Sequence, residues 1–319
     1  MTVEQVSERI FRVPSTLGVR RFAQWLVVGD DGILLVDSGI DGTIAEHVAP
    51  ALAHLGHAPD RLTEVVISHA DVDHYGGNAE LRAVAPRARI RAHPVDRRQF
   101  ERWDVIGHER YGWYRGHGLD YDDATWDWLR SAAGPDTPID GDIAGGDTID
   151  LGGIAVEIVE LPGHSAGHLG VVHRESGVAI VMDSVLARGL YTVDGELISP
   201  PPYATVAGYR TTVARLRELA PTNLGTSHYA PIEGRAAVSE FLDATESFID
   251  DLDALVRGRL SSSPQPLRAF WEPAAAELGP FREMSVELAR SVAAHLDEAV
   301  AAGVAEESEV DGLPAWSST

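Results

Sequence analysis

Four side chains that can bind a metal ion fall within six residues of one another, in a short segment that follows an apolar run at 64–68. The run predicts a buried strand, so the segment is expected to be a loop at a strand end. A loop there can direct alternate side chains at two neighbouring points, and imidazole and carboxylate groups are ligands of zinc and similar ions. Taken alone, the same cluster also fits a solvated polar turn. The four side chains are His69, Asp71, Asp73 and His74.

Three further segments place one potential ligand each at the end of a predicted strand. His164 follows the apolar run at 155–161, Asp183 follows the run at 178–182, and His228 lies within the segment 225–229. A single histidine is more often a core or surface residue than a ligand. The repeated placement at strand ends favours a metal site at one edge of an α/β structure.

This order of motifs resembles that of the metallo-β-lactamase superfamily, in which His-x-His-x-Asp-His is followed by a glycine-preceded His, then Asp, then His. The likeness covers about residues 5 to 235 and includes the turn Asp37-Ser38-Gly39. It implies an α/β fold, a four-layer αβ/βα sandwich, with two divalent metal ions at one edge. Zinc is the first expectation for both ions.

The resemblance also assigns roles to individual residues. His168 and Asp37 are expected to support the site from outside the metal ligands, His168 through a hydrogen bond. Asp73 is expected to orient the attacking hydroxide and to pass a proton to the leaving group. The expected ligands are His69 and His164 for one metal, Asp73, His74 and His228 for the other, and Asp183 between them.

One position departs from the family pattern, because Asp71 stands where the second histidine is expected. Flavodiiron proteins, which share this fold, carry glutamate there and hold iron. Aspartate is shorter than either residue, so Asp71 is expected to reach the first metal only through a shift or a water molecule. An added carboxylate also makes iron or manganese possible in place of zinc.

The pattern along the chain predicts a catalytic domain over 1–235 and a C-terminal helical region over 236–319 that ends in a frayed acidic tail. An aromatic-rich insertion is expected over 98–140. Trp103, Trp113 and Tyr114 in this insertion are predicted to wall the substrate pocket. The alternative is a small satellite core beneath a long loop.

Composition excludes several functions. The chain has no cysteine, so thiolate ligands, cysteine nucleophiles and disulfides are absent. With 49 acidic and 26 basic residues the formal net charge is -23, which disfavours nucleic acid and anionic membranes as partners. No leader or spanning segment is apparent, and a cytoplasmic protein is expected. The apolar face of the C-terminal helices makes a homodimer possible.

These observations predict a metal-dependent hydrolase that cleaves a carboxylic ester, thioester or lactone with a metal-bound hydroxide. The expected substrate is a small molecule with an apolar or aromatic body. The alternative is a non-haem iron or di-iron oxidoreductase on the same fold, suggested by Asp71. A third interpretation, a catalytically silent binding module, conflicts with the presence of six matched ligands.

Overall fold

Strands dominate the first two-thirds of the protein, and the computed structural model describes residues 3–319. Residues 1–2, with which the predicted catalytic domain begins, lie outside the described residues. In chain order the strands within 3–319 are β1 (Glu4–Ser7), β2 (Ile10–Leu17), β3 (Arg20–Val28), β4 (Ile33–Val36), β5 (Leu62–Ile67), β6 (Arg89–Ala92), β7 (Gly141–Asp142), β8 (Thr148–Asp150), β9 (Ala155–Glu160), β10 (Leu169–His173), β11 (Val178–Ile180), β12 (Leu190–Tyr191), β13 (Leu197–Ser199), β14 (Asn223–Gly225), β15 (Ile232–Glu233), β16 (Gln265–Pro266), β17 (Ala305–Val310) and β18 (Leu313–Ser318).

Helices connect these strands and follow them. Within the same residues they are α1 (Ala49–His54), α2 (Val72–Tyr75), α3 (Asn78–Val84), α4 (Arg97–Glu101), α5 (Trp103–Ile106), α6 (Asp123–Ala132), α7 (Val206–Leu219), α8 (Arg235–Arg259), α9 (Arg268–Leu278) and α10 (Leu288–Ala301). Short 3-10 or π-helical segments lie at Ile44–Val48, Pro59–Arg61, Gly107–Tyr111, Gly112–His117 and Ser285–Glu287. None of the helices in this part of the chain has both the length and the apolar character needed to cross a bilayer.

Two large sheets form the centre of the fold. Strands β1 to β7 form a seven-stranded sheet in chain order, and β4 to β7 run parallel to one another. The second sheet has six strands in the order β15-β14-β11-β10-β9-β8. Strands β11 and β14 are parallel, and the other pairs of this sheet are antiparallel.

The apolar side chains of these sheets divide between their two faces because successive residues of a strand point to opposite sides. Trp25 and Leu34 of the first sheet share a buried cluster with Ile158, Val171 and Ile180 of the second. The outer face of each sheet packs against helices, in two further clusters. The result is the predicted four-layer αβ/βα sandwich, and the fold prediction is confirmed.

Several strands of both sheets end at the same edge of the sandwich. Glu160 at the end of β9 pairs with Leu169 at the start of β10, and Ile180 at the end of β11 pairs with Gly225 at the end of β14. The backbone N–H of Leu169 donates to the carbonyl oxygen of Ser68, just after β5, at 2.8 Å. This bond joins the two sheets at the edge where the predicted ligands lie.

The C-terminal region corrects one expectation. The chain after residue 300 was expected to be a frayed tail, but β17 and β18 form a hairpin and β16 pairs with β18. The acidic side chains of β17 face solvent, and Trp316 of β18 is only 2% exposed. The polar composition of the tail thus reflects an edge strand that is exposed on both faces, and the region 236–319 combines helices with a small sheet.

The hairpin is expected to contribute to the stability of the whole domain. Replacing Trp316 with alanine should lower the free energy of unfolding by about 3 to 5 kcal/mol, because it leaves a large cavity in the core. Urea unfolding measures the change, and Val304→Ala, at a position that is 41% exposed, is the control. An unfolding midpoint for Trp316→Ala equal to that of the control would show that the hairpin does not support the core.

Candidate metal centre

The predicted ligands from four strand ends lie close together in two groups. Within each group, one potential ligand atom from each residue lies within 4.8 Å of those of the others. The carboxylate of Asp183 links the groups, because its Oδ2 lies 3.5 Å from His74 Nε2 and 3.2 Å from His228 Nε2. The groups are His69, His164 and Asp183, and Asp73, His74 and His228.

The loops that carry the later ligands need unusual backbone conformations. Met182, directly before Asp183, has a φ of 47°, in the left-handed region that non-glycine residues rarely adopt. Gly163, directly before His164, has a φ of 132° and packs so closely on the backbone of Tyr209 that a Cβ atom would lie 2.4 Å from its nitrogen. Such positions cluster at functional sites, where the surrounding structure holds them in place.

Asp37 holds the first motif, residues 69–74, in position. Its buried carboxylate accepts hydrogen bonds from the Ser68 backbone N–H at 2.6 Å and from the Ser68 hydroxyl at 2.7 Å. His74 Nδ1 lies 2.6 Å from the same carboxylate, so the ring donates there and its Nε2 faces Asp73 and Asp183. These contacts occupy the oxygens of Asp37 and are typical of a residue that orients a ligand.

Unsatisfied nitrogen atoms indicate that the site suits a cation. Nε2 of His69 and Nε2 of His74 are buried, and neither has a hydrogen-bond partner within residues 3–319. Burying a polar atom without a partner is costly, so such atoms in a cluster of carboxylates call for a ligand. Imidazole nitrogens and carboxylate oxygens are ligands of zinc, iron and manganese. The residues present therefore fit a divalent metal ion.

The histidines of the two groups differ in their electrostatic surroundings. Burial and the charge of His74 lower the pKa of His69 to about 4. Burial also lowers the pKa of His228, but the carboxylates of Asp183 and Asp73 outweigh this effect and raise it to about 9. The second group thus carries protons in the metal-free protein that a metal ion must displace.

Asp71 reaches the first group directly. Its Oδ2 lies 3.6 Å from His69 Nε2 and 3.1 Å from His164 Nε2, which matches the 3.5 Å between Asp73 Oδ2 and His228 Nε2 in the second group. These distances join side-chain atoms of the metal-free protein, so the reach of Asp71 to a metal ion stays a prediction.

The feature that sets Asp71 apart is a buried arginine. Arg110 Nε lies 2.9 Å from Asp71 Oδ1, and the Tyr111 hydroxyl donates to the same oxygen at 3.2 Å. Arg110 also lies 3.5 Å from Glu287, which accepts a hydrogen bond from the Tyr121 hydroxyl at 2.8 Å. Burial raises the pKa of Asp71, but the charge of Arg110 and the contact with His164 hold it well below its usual value.

Sequence reasoning missed Arg110 and Glu287. They come from the aromatic insertion and from the segment before α10, and neither belongs to a metal-binding motif. A cation beside an expected ligand weakens the pull of that ligand on a metal ion. The departure at position 71 thus comes with a second change, a positive charge beside the expected ligand.

His168 does not make the predicted hydrogen bond. Both of its ring nitrogens are buried and lack hydrogen-bond partners in the described part of the chain. Its ring instead stacks on that of His69, with the centroids 4.6 Å apart and the planes 14° apart. The observed support is therefore a packing contact that fixes the orientation of the His69 ring.

The aromatic insertion contributes two rings to the cleft beside the ligands, but not the predicted ones. Tyr111 and Trp128 line the cleft together with Asp73, Asp183 and His228.

The three predicted pocket residues do not line this cleft. Tyr114 is fully buried against the ring of Tyr121, Trp113 lies beneath the guanidinium of Arg290, and Trp103 stacks on the outer side of Tyr111. Most of the insertion therefore packs into the main core rather than into a separate satellite core, because its buried rings share one cluster with the first sheet and the C-terminal helices. Only its inner edge faces the site.

A known family and several known proteins match parts of this sequence. The family described as "Metallo-beta-lactamase superfamily" matches residues 22–228. A hydroxyacylglutathione hydrolase from Cereibacter sphaeroides is 26% identical over 51% of this chain and 51% of its own length. An acyl-coenzyme A thioesterase, MBLAC2 from Gallus gallus, is 26% identical over 63% of this chain and 68% of its own. The chain spans about half the length of the hydroxyacylglutathione hydrolases that it matches.

Solved structures share the fold over nearly the whole chain. A metallo-beta-lactamase family protein from Thermus thermophilus has a TM-score of 0.74 at 18% identity and covers 99% of this chain and 100% of its own. A beta-lactamase domain protein from Burkholderia ambifaria has a TM-score of 0.71 at 19% identity and covers 99% of this chain and 95% of its own. The likeness includes the C-terminal region, so this architecture is not confined to the present chain.

The charge of Arg110 is expected to limit metal retention in the first group. Replacing Arg110 with glutamine keeps a donor for Asp71 but removes the positive charge, so the metal should be held at least about tenfold more tightly. Elemental analysis after stepwise chelation measures the retention. Arg115→Gln, at an exposed arginine of the same insertion, is the control. The expectation would be contradicted if Arg110→Gln retained its metal equally or more weakly than the unmodified protein while the two circular dichroism spectra were the same.

Metal binding is expected to release protons at neutral pH. The pKa of His228 in the metal-free protein is about 9, so the group is protonated at pH 7 and a metal ion must displace that proton. The metal affinity should rise as the pH rises from 7 toward 9. Titration of zinc into weakly buffered metal-free protein measures the release, which should be smaller in His228→Gln. An affinity that does not change between pH 7 and pH 9 would show that His228 is already neutral.

Proposed function

Because the chain belongs to the metallo-β-lactamase superfamily, we propose that it is a metal-dependent hydrolase of a carboxylic ester, thioester or lactone. The observation that carries the proposal is the position of Asp183 between two groups of ligands, at the wall of an open cleft. In the proposed enzyme the two groups hold two divalent ions, with zinc as the first candidate. Such ions would lower the pKa of a water molecule and polarise the carbonyl group of the substrate.

Asp73 is the proposed proton carrier. Its Oδ2 lies 3.5 Å from His228 Nε2, and its side chain lines the cleft. Burial raises the pKa of Asp73, but the neighbouring His74 and His228 lower it below its usual value, so the group is a carboxylate at neutral pH. A carboxylate in this position can accept a proton from water and then pass it to the leaving group.

The other residues of the first motif position this machinery. Nδ1 of His74 contacts Asp37 and Nδ1 of His69 lies 3.0 Å from the Ser68 hydroxyl, so both rings keep Nε2 directed into the cluster, and His168 stacks on the ring of His69. Preorganised ligands and charges of this kind contribute to catalysis because they need no rearrangement during the reaction.

The cleft favours a substrate with an apolar portion. Its walls include Val72, Leu129, Leu186 and Leu190 beside the two aromatic rings of the insertion. Charged and polar side chains, among them Arg20, Ser199 and Glu287, make up the rest of the lining, and apolar walls beside converging polar groups are typical of sites for small molecules. The relatives named hydroxyacylglutathione hydrolase and acyl-coenzyme A thioesterase favour an acyl compound, and a thioester in particular.

A second candidate is a non-haem iron or di-iron oxidoreductase, favoured by the contact of Asp71 with both histidines of the first group. A carboxylate among the ligands makes the site harder and raises its preference for iron or manganese over zinc. Arg110 opposes this effect by neutralising the same carboxylate. Elemental analysis of protein purified without chelator separates the candidates, because a zinc content that follows hydrolytic activity supports the hydrolase.

Loss of a ligand should abolish hydrolysis without unfolding the protein. His74→Ala and Asp183→Asn should each lower turnover of a chromogenic ester or thioester by at least about a thousandfold, since each removes a ligand from the site that generates the nucleophile. Their far-UV circular dichroism should stay close to that of the unmodified protein. His54→Ala, at an exposed histidine of α1, is the control. Full activity in either ligand variant would place the chemistry elsewhere.

A further inference from the structure

A second cavity opens beside the first group of ligands. Its volume is about 120 Å³, and His69, Asp71 and His164 line it together with Arg110 and Arg290. The proposed reaction therefore has space for a second part of the substrate in this cavity.

Arg290 is a cation with little to bind within the protein. It lies at the start of α10, and its Nη1 is buried without a hydrogen-bond partner among residues 3–319. The contact that holds its guanidinium is with the ring of Trp113, whose centroid is 4.7 Å away. Burial and the positive charge of Arg110 both lower the pKa of Arg290, which shows that the local environment disfavours its charge.

The neighbouring Arg110 is not available to bind a ligand. Arg110 is already bound to Asp71 and Glu287, so its charge is balanced within the protein. Arg290 is partly buried and unpaired, and such a cation is stabilised when an anion joins it. The chain has a formal net charge of -23, so acidic residues greatly outnumber basic ones. An arginine without a carboxylate partner at the wall of this cavity is therefore a distinctive feature of the described residues.

We infer that Arg290 binds a carboxylate of the substrate, in the cavity beside His69 and His164. This inference rests on the proposed hydrolase and names one feature of its substrate: an acyl compound that carries a carboxylate on the part occupying this cavity. A guanidinium and a carboxylate match in shape and charge and form strong paired hydrogen bonds.

The surroundings favour a carboxylate over a phosphate. Asp71, Asp96 and Glu109 also line the cavity, and Glu287 lies 3.5 Å from Arg110. One unpaired guanidinium balances a single negative charge, whereas a dianionic phosphate would leave a second charge close to these carboxylates. The first cleft, which shares Asp71 and His164 with this cavity, then accepts the uncharged part of the substrate.

The test compares two esters that differ by one carboxylate: mono-4-nitrophenyl adipate and 4-nitrophenyl hexanoate. Arg290→Gln should lower kcat/KM for the adipate ester at least tenfold more than for the hexanoate ester, mainly through KM. Arg290→Lys should recover part of the loss because it restores the charge. The control Arg282→Gln changes an exposed arginine outside this cavity and should affect the two esters equally. Equal losses on both esters in Arg290→Gln, or no loss on either, would overturn the inference.

A binding measurement separates this inference from the proposed hydrolase. Adipate added to the unmodified protein should raise its Tm, and Arg290→Gln should reduce or abolish that rise. If neither ester is hydrolysed but adipate still stabilises the protein through Arg290, the proposed function fails and the carboxylate site stands. If adipate does not stabilise the unmodified protein, the carboxylate site is wrong even when both esters are hydrolysed.

Discussion

The candidate site depends on one buried carboxylate, that of Asp37. It takes hydrogen bonds from the backbone and hydroxyl of Ser68 and from the ring of His74, and so ties the end of β4 to the end of β5 and to α2. The residue also has a φ of 64°, a strained conformation that these three bonds must hold in place. A charge buried at this depth is stable only when it is fully bonded. The position of the first motif, and with it the geometry of the ligands, follows from this contact.

The sequence predicted the parts of the site that depend on local patterns. Each ligand follows an apolar run, and such a run predicts a strand whose end lies at the edge of a sheet. The pairing of Ile180 with Gly225 shows how that edge brings Asp183 and His228 together. The fold class could be predicted for the same reason, since alternating faces of the strands determine the four layers.

The parts that were missed depend on contacts between distant segments. Arg110 is separated from Asp71 by 39 residues and from Glu287 by 177, and nothing in their local sequence indicates that they meet. Aromatic composition identified the insertion but could not show that Tyr111 and Trp128, rather than Trp113, face the cleft. The hairpin of the tail was hidden because an exposed edge strand and a disordered acidic segment have the same composition.

The residues that surround the metal ligands come from separate segments of the chain. The ligands lie at strand ends within residues 69–228, whereas one cavity wall comes from the insertion and another from the helices after residue 284. Substitutions in α10 or in the insertion can therefore reshape what the site accepts while every metal ligand and its strand stay the same. This division makes the protein evolvable: selection can act on substrate choice through the C-terminal region without passing through variants that have lost their metal ligands.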